Sequence, residues 1–437
     1  MKIEKGIKIW NNAKKIIPGG TQLLSKRPEM FLPDQWPCYY RKSKGVEVWD
    51  MDENKFIDMS SMGIGSCLLG YADEEVNAAV KKCIEQGSMS TLNCYEEVDL
   101  AELLLKLNKW ADMVRYSRTG GEAMTIAVRL GRAYSKKDKL AFCGYHGWHD
   151  WYLSSNLADD KNLDGHLLAG LEPLGVPRAL RDSALPFSYN KIEELEKIVE
   201  NHDIGTIVVE PLRHHKPKYN FLKKIRKIAD EINAVLIFDE VSLGWRVNVG
   251  GSHELFDVYP EVAVYGKGMS NGFPMAAVVG KREVMDMAQQ SFISSTYWTE
   301  RIGPTAAISS INKMLDKNVP DHLGKIGEMI GKGWKKISDK HNVSIELLDE
   351  VLPLITFAFD YENPLELKTL FTQEMLKRGY LVSTCVYVSY SHKKEIVEEY
   401  LKNVDEVFEL ISNAIEKNNV KELLKGPVSH SGFQRLT

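Results

Sequence analysis

The sequence predicts an α/β fold with a mostly parallel, doubly wound central sheet and helices on both of its faces. Between about residues 96 and 285, apolar runs alternate with helical segments. The runs are continuously apolar, as strands buried on both faces require. The segment 220–233 keeps its apolar residues on one helical face, which is typical of a crossover helix between parallel strands. The predicted strands are Leu140–Cys143, Thr206–Val209, Val235–Phe238, Val262–Tyr265 and Ala276–Val279.

The chain before this region predicts a helical arm and a small antiparallel ribbon. Residues 4–17 place apolar side chains at helical spacing, and Pro18-Gly19-Gly20 would end that helix. Short strand-like runs follow, and a turn at 52–54 would join the last two. These strands are predicted at Tyr39–Arg41, Val46–Trp49 and Phe56–Asp58.

After about residue 310 helical patterns dominate, interrupted by strand-like runs at Leu352–Phe359 and Tyr380–Tyr390 and closed by an amphipathic helix over Lys393–Asn418. This pattern predicts a smaller α+β domain built from the N-terminal arm and the C-terminal third. The expected division is an arm with a ribbon at 1–60, a large domain at 61–310 and a small domain at 311–437.

Composition and charge disfavour several kinds of partner and cellular location. The chain has 56 basic and 60 acidic residues and a net charge of −4, which disfavours nucleic acid and membrane surfaces as partners. Its six cysteines form no C-x-x-C pair, which favours a reducing compartment. The N-terminus lacks the apolar core of a signal peptide, and no apolar run reaches the roughly 18 residues of a membrane span. We therefore expect a cytoplasmic protein.

Candidate functional residues follow the predicted strands, because open α/β sheets bind ligands at the carboxyl ends of their strands. Four polar segments occupy such positions. They are Thr119-Gly120-Gly121, Gly144-Tyr145-His146-Gly147, Asp239-Glu240 and Gly266-Lys267-Gly268.

Thr119-Gly120-Gly121 precedes a convincing helix over residues 122–130. Backbone N–H groups and the helix dipole at such a position favour a phosphate. The alternative is a plain glycine-rich turn into a helix, since short glycine motifs also match by chance.

Lys267 and Asp239 suit a cofactor that needs an amine and a carboxylate. Glycines beside Lys267 leave room for a bulky adduct, and burial would supply the neutral amine that forms a Schiff base. Taken singly, Lys267 fits a surface turn, and Asp239 fits a helix cap or an ion pair. Together they match pyridoxal phosphate (PLP), whose chemistry uses a lysine and a carboxylate beside its ring nitrogen.

The ordered motifs resemble the class III aminotransferases of PLP fold type I, and among them the glutamate-1-semialdehyde aminomutase-like proteins. Asp239 and Lys267 are 28 residues apart, as in that family, and the likeness runs from Pro18-Gly19-Gly20 to the C-terminal helix. The motifs are Thr119–Ala123, Gly144–Gly147, Glu210-Pro211, Phe238–Val241, and Gly266-Lys267 with Gly272 and Pro274 beyond it.

The resemblance implies roles around the cofactor ring. Lys267 would be the Schiff-base lysine and would move the proton between the substrate and the cofactor, while Asp239 would pair with the ring nitrogen. Tyr145 would stack on one face of the ring and Val241 would lie on the other.

The resemblance also implies a phosphate site shared between two subunits. Gly120 and Gly121 would offer backbone N–H groups, and Thr119 would add its hydroxyl. In the family a threonine from the neighbouring subunit completes this site, which makes Thr296 the candidate. A homodimer with composite active sites follows from that assignment.

The resemblance also implies three candidate residues for contact with the substrate. Glu210 matches the family's Glu-Pro step, where bracing the site is the alternative to substrate contact. His214 lies in a Leu-Arg-His-His segment that replaces a small residue and asparagine, so a histidine could approach the cofactor's phenolic oxygen. Arg27 stands where relatives place an arginine for a substrate carboxylate, although an exposed arginine in an irregular arm fits equally.

Several positions depart from the aminomutase pattern. Gly121 replaces the more common threonine and removes one phosphate hydroxyl. Ser383–Tyr387 replaces a segment that carries a substrate-facing glutamate, and Tyr297–Arg301 replaces the usual Gly-Asn-Pro run. His146 and His149 have no ligand-spaced Cys or acidic partner, so we expect no metal.

These observations favour an aminotransferase that moves an amino group from a donor such as glutamate to an aldehyde or ketone, with keto-sugars among the acceptors. The alternative is intramolecular transfer of the glutamate-1-semialdehyde 2,1-aminomutase type, which the changed substrate segments disfavour. A third alternative is a PLP-fold module without turnover, which the retention of Lys267 and Asp239 opposes.

Overall fold

The computed structural model describes residues 2–166, 169–170 and 172–432. Within these residues the chain divides into two compact units. One comprises the chain up to Asp73 together with the chain from Asp321, and the other is Glu74–Pro320. The predicted division at residues 60 and 310 stays a prediction.

The N-terminal part of the first unit contains the predicted arm and ribbon. Helix α1 (Glu4–Ile16) buries Trp10 and Ala13. Strands β1, β2 and β3 pair antiparallel, with Lys44 opposite Glu47 and Glu47 opposite Ile57. Their bounds are Tyr40–Lys44, Glu47–Asp50 and Lys55–Met59.

The second unit confirms the predicted α/β fold. Its strands are β4 (Met113–Ser117), β5 (Lys139–Cys143), β6 (Ala184–Pro186), β7 (Ile204–Val209), β8 (Val235–Asp239), β9 (Val262–Tyr265) and β10 (Ala276–Gly280). They form one sheet in the order β4-β10-β9-β8-β7-β5-β6. Its helices are α2 (Glu74–Glu85), α3 (Glu96–Leu107), α4 (Gly120–Ser135), α5 (Asp150–Leu153), α6 (Ile192–Asn201), α7 (Phe221–Glu231), α8 (Arg282–Met285) and α9 (Ile302–Asp316). β10 runs antiparallel to both of its neighbours, β4 and β9, and the other neighbouring strands of this sheet pair parallel.

Each face of the sheet has its own apolar core, which makes the sheet doubly wound. Val235 and Ile237 pack with α4 on one face, whereas Leu236 and Phe238 pack with α7 on the other. Successive strand residues point to opposite faces, so a strand covered on both sides must be apolar throughout. This is the physical reason that the continuous runs identified the central strands.

The C-terminal part of the first unit is mainly helical, as predicted, and contains a strand at Ile345–Leu348 in addition to the two predicted strand-like runs. The helices are α10 (Val319–His341), α11 (Pro364–Lys377), α12 (Lys394–Glu416) and α13 (Val420–Leu423). The strands are β11 (Ile345–Leu348), β12 (Leu354–Phe359), β13 (Tyr380–Val382) and β14 (Cys385–Tyr387). The predicted run Tyr380–Tyr390 therefore contains two strands, because β13 pairs parallel with β3 whereas β14 joins the sheet β11-β12-β14. Of the helices in the described residues, none is both long and apolar enough to span a bilayer.

Candidate active site

The carboxyl ends of β5, β8 and β9 bring the candidate residues to one edge of the large sheet. Asp239 is the last residue of β8, and it pairs in register with Val264 of the parallel strand β9. Lys267 comes two residues after β9 ends. Neighbouring parallel strands end at the same edge, so the amine and the carboxylate belong to one site.

Lys267 combines an unusual backbone conformation with a desolvated amine. Its φ of 42° is left-handed, which a non-glycine residue adopts at a cost of roughly 1–2 kcal/mol. The Lys267 Nζ donates a hydrogen bond of 2.7 Å to the Ser242 hydroxyl. Burial lowers the pKa of the amine from 10.5 to about 8, against the opposing effect of the Glu210 carboxylate. A substantial fraction of this amine is therefore neutral, and able to act as a nucleophile, near pH 8.

Asp239 is buried and held by two donors. Its Oδ2 lies 2.8 Å from His146 Nδ1, and its Oδ1 accepts from the Val241 backbone N–H at 3.0 Å. The other ring nitrogen of His146 lies 3.2 Å from the Cys143 carbonyl, which can only accept. Both ring nitrogens thus lie beside oxygen atoms, so the imidazole bridges the Asp239 carboxylate and the Cys143 carbonyl and holds the carboxylate in place.

Glu210 fixes the loop that carries Tyr145. Its Oε2 accepts from the Tyr145 backbone N–H and from Arg213 Nη1, both at 2.9 Å. Gly144 has a φ of +115°, and a Cβ there would lie 2.6 Å from the same oxygen. The Arg213 guanidinium lies 5.7 Å from the centre of the Tyr145 ring. The nearly inaccessible Glu210 is therefore engaged in bracing contacts.

The first turn of α4 lies beside the same strand ends. Thr119 caps the helix, accepting from the Glu122 backbone N–H while the Glu122 carboxylate accepts from the Thr119 N–H. Cβ atoms built on Gly120 and Gly266 would lie 3.1 and 3.4 Å from Val241 Cγ1. The Val241 side chain therefore lies between the first turn of α4 and the turn that begins at Lys267. The amides of Gly120 and Gly121, at the first two helical positions, have no acceptor within the helix.

The remaining candidates have different surroundings. Thr296 is exposed and begins a 3-10 turn, Thr296–Thr299, whose far end is held by a partly buried ion pair between Arg118 and Glu300 at 2.9 Å. His214 is half-buried, and burial lowers its pKa. Arg27 belongs to the other compact unit, in which its guanidinium packs against Gly19.

Three residues of this site have roles that the sequence does not predict. His146 lies in the predicted segment 144–147 at the end of β5, but its contact with Asp239 is not predicted there. Ser242 and Arg213 gave no signal, because their importance depends on which side chains their loops bring near Lys267 and Glu210. Within the described residues, no group of three or more His, Cys, Asp or Glu side chains is arranged to hold a metal ion.

Comparison with known proteins gives concordant matches. The family model described as aminotransferase class-III matches residues 32–415. The chain is 30% identical to a 3-aminobutyryl-CoA aminotransferase of Cloacimonas acidaminovorans over 90% of this chain and 94% of that protein. It is 36% identical to a glutamate-1-semialdehyde 2,1-aminomutase of Nitrosopumilus maritimus over 71% of this chain and 74% of that protein.

A solved structure has the same fold. The PLP-containing FumI protein of Sphingopyxis sp. MTA144 superposes with a TM-score of 0.84 at 23% identity, covering 94% of this chain and 98% of that one. The family match spans most of the chain and includes every residue at the sheet edge described above. The chain belongs to the class-III aminotransferases, a family of PLP-dependent enzymes.

Proposed function

We propose that this enzyme moves an amino group from an amino-acid donor, such as glutamate, to the aldehyde or ketone of a small acceptor, with sugar-derived acceptors among the candidates. The observation that carries the proposal is the desolvated Lys267 amine at the strand edge that also holds Asp239. A cytoplasmic location stays a prediction.

The residues at this edge fit PLP in charge and shape. Gly120 and Gly121 present backbone amides without side chains, as close approach of a phosphate requires. Lys267 offers an amine with a pKa of about 8, and Asp239 offers a buried carboxylate. Val241 lies between the helix end and the Lys267 turn, where it can pack on a flat ring.

Each residue would have a distinct task. When bound, PLP supplies an aldehyde that bonds to amines and a ring that withdraws electrons from the substrate's Cα. Lys267 would hold the cofactor and move the proton at Cα, with Ser242 positioning its Nζ. Asp239, supported by His146, would keep a proton on the ring nitrogen. Tyr145 would cover one face of the cofactor ring, and Glu210 would hold it in position by accepting a hydrogen bond from its backbone N–H.

On the substrate side, we propose that Arg27 binds a substrate carboxylate and that His214 approaches the cofactor's phenolic oxygen. For Glu210, the two bracing contacts favour a positioning role over substrate contact.

Transfer between two molecules is favoured over intramolecular transfer. The segment 297–301 contains Glu300 and Arg301, whose ion pairs with Arg118 and Glu96 make it a braced structural element rather than a Gly-Asn-Pro turn. Coverage does not separate the two reactions, because one relative named an aminotransferase is matched over 94% of its own length and one named an aminomutase over 99%. The aminomutase alternative is kept because relatives with that name are also matched.

Nitrogen labelling distinguishes the two reactions. With ¹⁵N-glutamate and a panel of small aldehydes and ketones, we expect label in the product amine and one equivalent of 2-oxoglutarate per amine formed, measured by mass spectrometry. A second reaction tests the aminomutase alternative and contains unlabelled glutamate-1-semialdehyde without any added amino donor. Isomerisation of that compound with retention of its own nitrogen, together with no conversion of any donor, would establish the alternative.

We further propose that the enzyme is a homodimer in which Thr296 of one subunit completes the phosphate site of the other. Thr296 is exposed in the single chain, which supports a role across an interface. Leu92, Tyr95 and Val98 are also exposed, and the Arg301 guanidinium that follows the Thr296 turn lies 5.6 Å from the Tyr95 ring centre. Such an apolar patch is typical of an interface between subunits.

Mixed dimers test this assignment. A Lys267→Ala chain combined with a Thr296→Ala chain should regain activity, because one site of each hybrid inherits both lesions and the other inherits neither. Random exchange should give about a quarter of the wild-type rate, since half of the dimers are hybrids with one intact site. Ser294→Ala, which removes a nearby exposed hydroxyl, is the matched control. Hybrids that form without any gain over the parent variants would contradict action in trans.

A further inference from the structure

We propose that His149 completes the phosphate-binding site at the first turn of α4, where its imidazole occupies the space left by the missing side chain of Gly121. The proposal rests on the proposed function, because it concerns the phosphate of the PLP assigned to this site. It adds a ligand that no motif at the strand ends assigns.

The position of the His149 ring is defined by Gly121. A Cβ built on Gly121 would lie 3.1 Å from both Cδ2 and Nε2 of His149. In an α-helix each Cα–Cβ bond tilts towards the N-terminus, so this ring edge borders the first turn on its N-terminal side. The same turn presents the amides of Gly120 and Gly121, which point out of the helix end. The imidazole and these amides can therefore contact one anion.

The loop that carries His149 is clamped onto α4. A Cβ at Gly147, which has a φ of +103°, would lie 3.2 Å from the Gly121 Cα, so the two backbones touch. Trp151 Nε1 donates to Thr125 Oγ1 at 3.2 Å, and that hydroxyl donates to the Gly121 carbonyl at 3.0 Å. The ring is thus held beside the helix end by contacts on both sides of residue 149, which makes it a preorganised ligand.

The charge of His149 suits a hydrogen-bond donor. Burial lowers its pKa from 6.5, while the Glu122 and Asp150 carboxylates oppose that shift. The ring is therefore neutral above pH 7 and carries one N–H. The Glu122 carboxylate already accepts the backbone N–H groups of Arg118 and Thr119, so the helix end carries negative charge beside the anion site. An extra N–H donor offsets that repulsion.

Cofactor affinity measures this role directly. In cofactor-free protein prepared from the holoenzyme, His149→Ala should raise the Kd for PLP by about 10- to 100-fold, the loss expected for one hydrogen bond to a charged group. The Kd for pyridoxal, which lacks the phosphate, should change little. His149→Gln keeps an N–H donor and should retain most of the affinity. His202→Ala is the matched control, since His202 lies beside Lys139 at the opposite end of β5.

A paired substitution at Gly121 tests the shared space. Gly121→Thr alone should weaken PLP binding, because its Cβ would meet the His149 ring at 3.1 Å. Combining it with His149→Ala removes the clash and supplies a hydroxyl, so the double variant should bind PLP more tightly than either single variant.

Two results would overturn the proposal. They are an unchanged Kd for PLP in His149→Ala, and equal losses for PLP and pyridoxal, which would indicate a general packing defect. Failure of the proposed function looks different, because the ¹⁵N-glutamate assay would then show no donor conversion while the Kd for PLP would still depend on His149.

Discussion

Replacing Lys267 with alanine should lower kcat/KM for amino transfer by about four orders of magnitude or more, because the variant loses both the amine that bonds the cofactor and the base that moves the proton at Cα. The fold should survive. Alanine and lysine pay a similar cost for the left-handed φ of 42°, and the substitution removes an amine that burial already disfavours in its charged form. Steady-state rates with glutamate as donor, circular dichroism and thermal unfolding give the comparison.

Lys227→Ala is the matched control for that experiment. Lys227 is exposed on α7, where it pairs with Glu231 at 3.4 Å, so its removal should change neither rate nor stability appreciably. Aminotransferase turnover by well-folded Lys267→Ala protein at more than a few per cent of the wild-type rate would refute the assignment of Lys267.

Asp239→Asn should reduce turnover by about 100- to 1,000-fold, the loss typical of removing one preorganised electrostatic partner from an active site. The neutral amide cannot hold a proton on the cofactor's ring nitrogen as a carboxylate does. PLP binding should weaken far less than the rate falls, because the Gly120 and Gly121 amides are unchanged. Pre-steady-state rates of the donor half-reaction and the Kd for PLP measure the two effects separately.

Two further variants decide how Asp239 acts. Asp230→Asn makes the same chemical change at an exposed site on α7, where Asp230 pairs with Arg226 at 2.7 Å, and should leave the rate unchanged. His146→Gln should reduce the rate less than Asp239→Asn, because it removes only a partner of the carboxylate. Adding it to Asp239→Asn should cost little more, since both act through one network. A near-normal rate in Asp239→Asn would exclude the ring-nitrogen role.

The central strands could be predicted because a strand buried on both faces is apolar at successive positions, and such continuous runs are visible in the sequence. The weaker strands could not. β6 has three residues and ends in Pro186, which a sheet tolerates at its edge, and β4 carries Arg115 among its apolar residues. β13 and β14 were merged into one run because only tertiary pairing separates them across Ser383 and Thr384.

The candidate site likewise contains residues that the sequence predicts and residues that it does not. Asp239 and Lys267 could be identified because the polar residue that follows a buried strand must emerge at the ligand-binding edge. The contacts of Arg213, Ser242 and His149 are set by loops whose conformations no local pattern determines. Gly121 shows the difference well: the sequence indicates a lost hydroxyl, whereas the structure shows which ring fills the space.

The central claim is that Lys267 holds the cofactor, and chemical trapping tests it most directly. Borohydride reduction of the holoenzyme fixes PLP to the amine that carries it, and trypsin does not cleave after a modified lysine. We expect one labelled tryptic peptide, spanning Val247–Lys281 with the modification on Lys267, in place of the separate peptides that end at Lys267 and Lys281. Stoichiometric label on any other lysine, with normal cleavage after Lys267, would contradict the account.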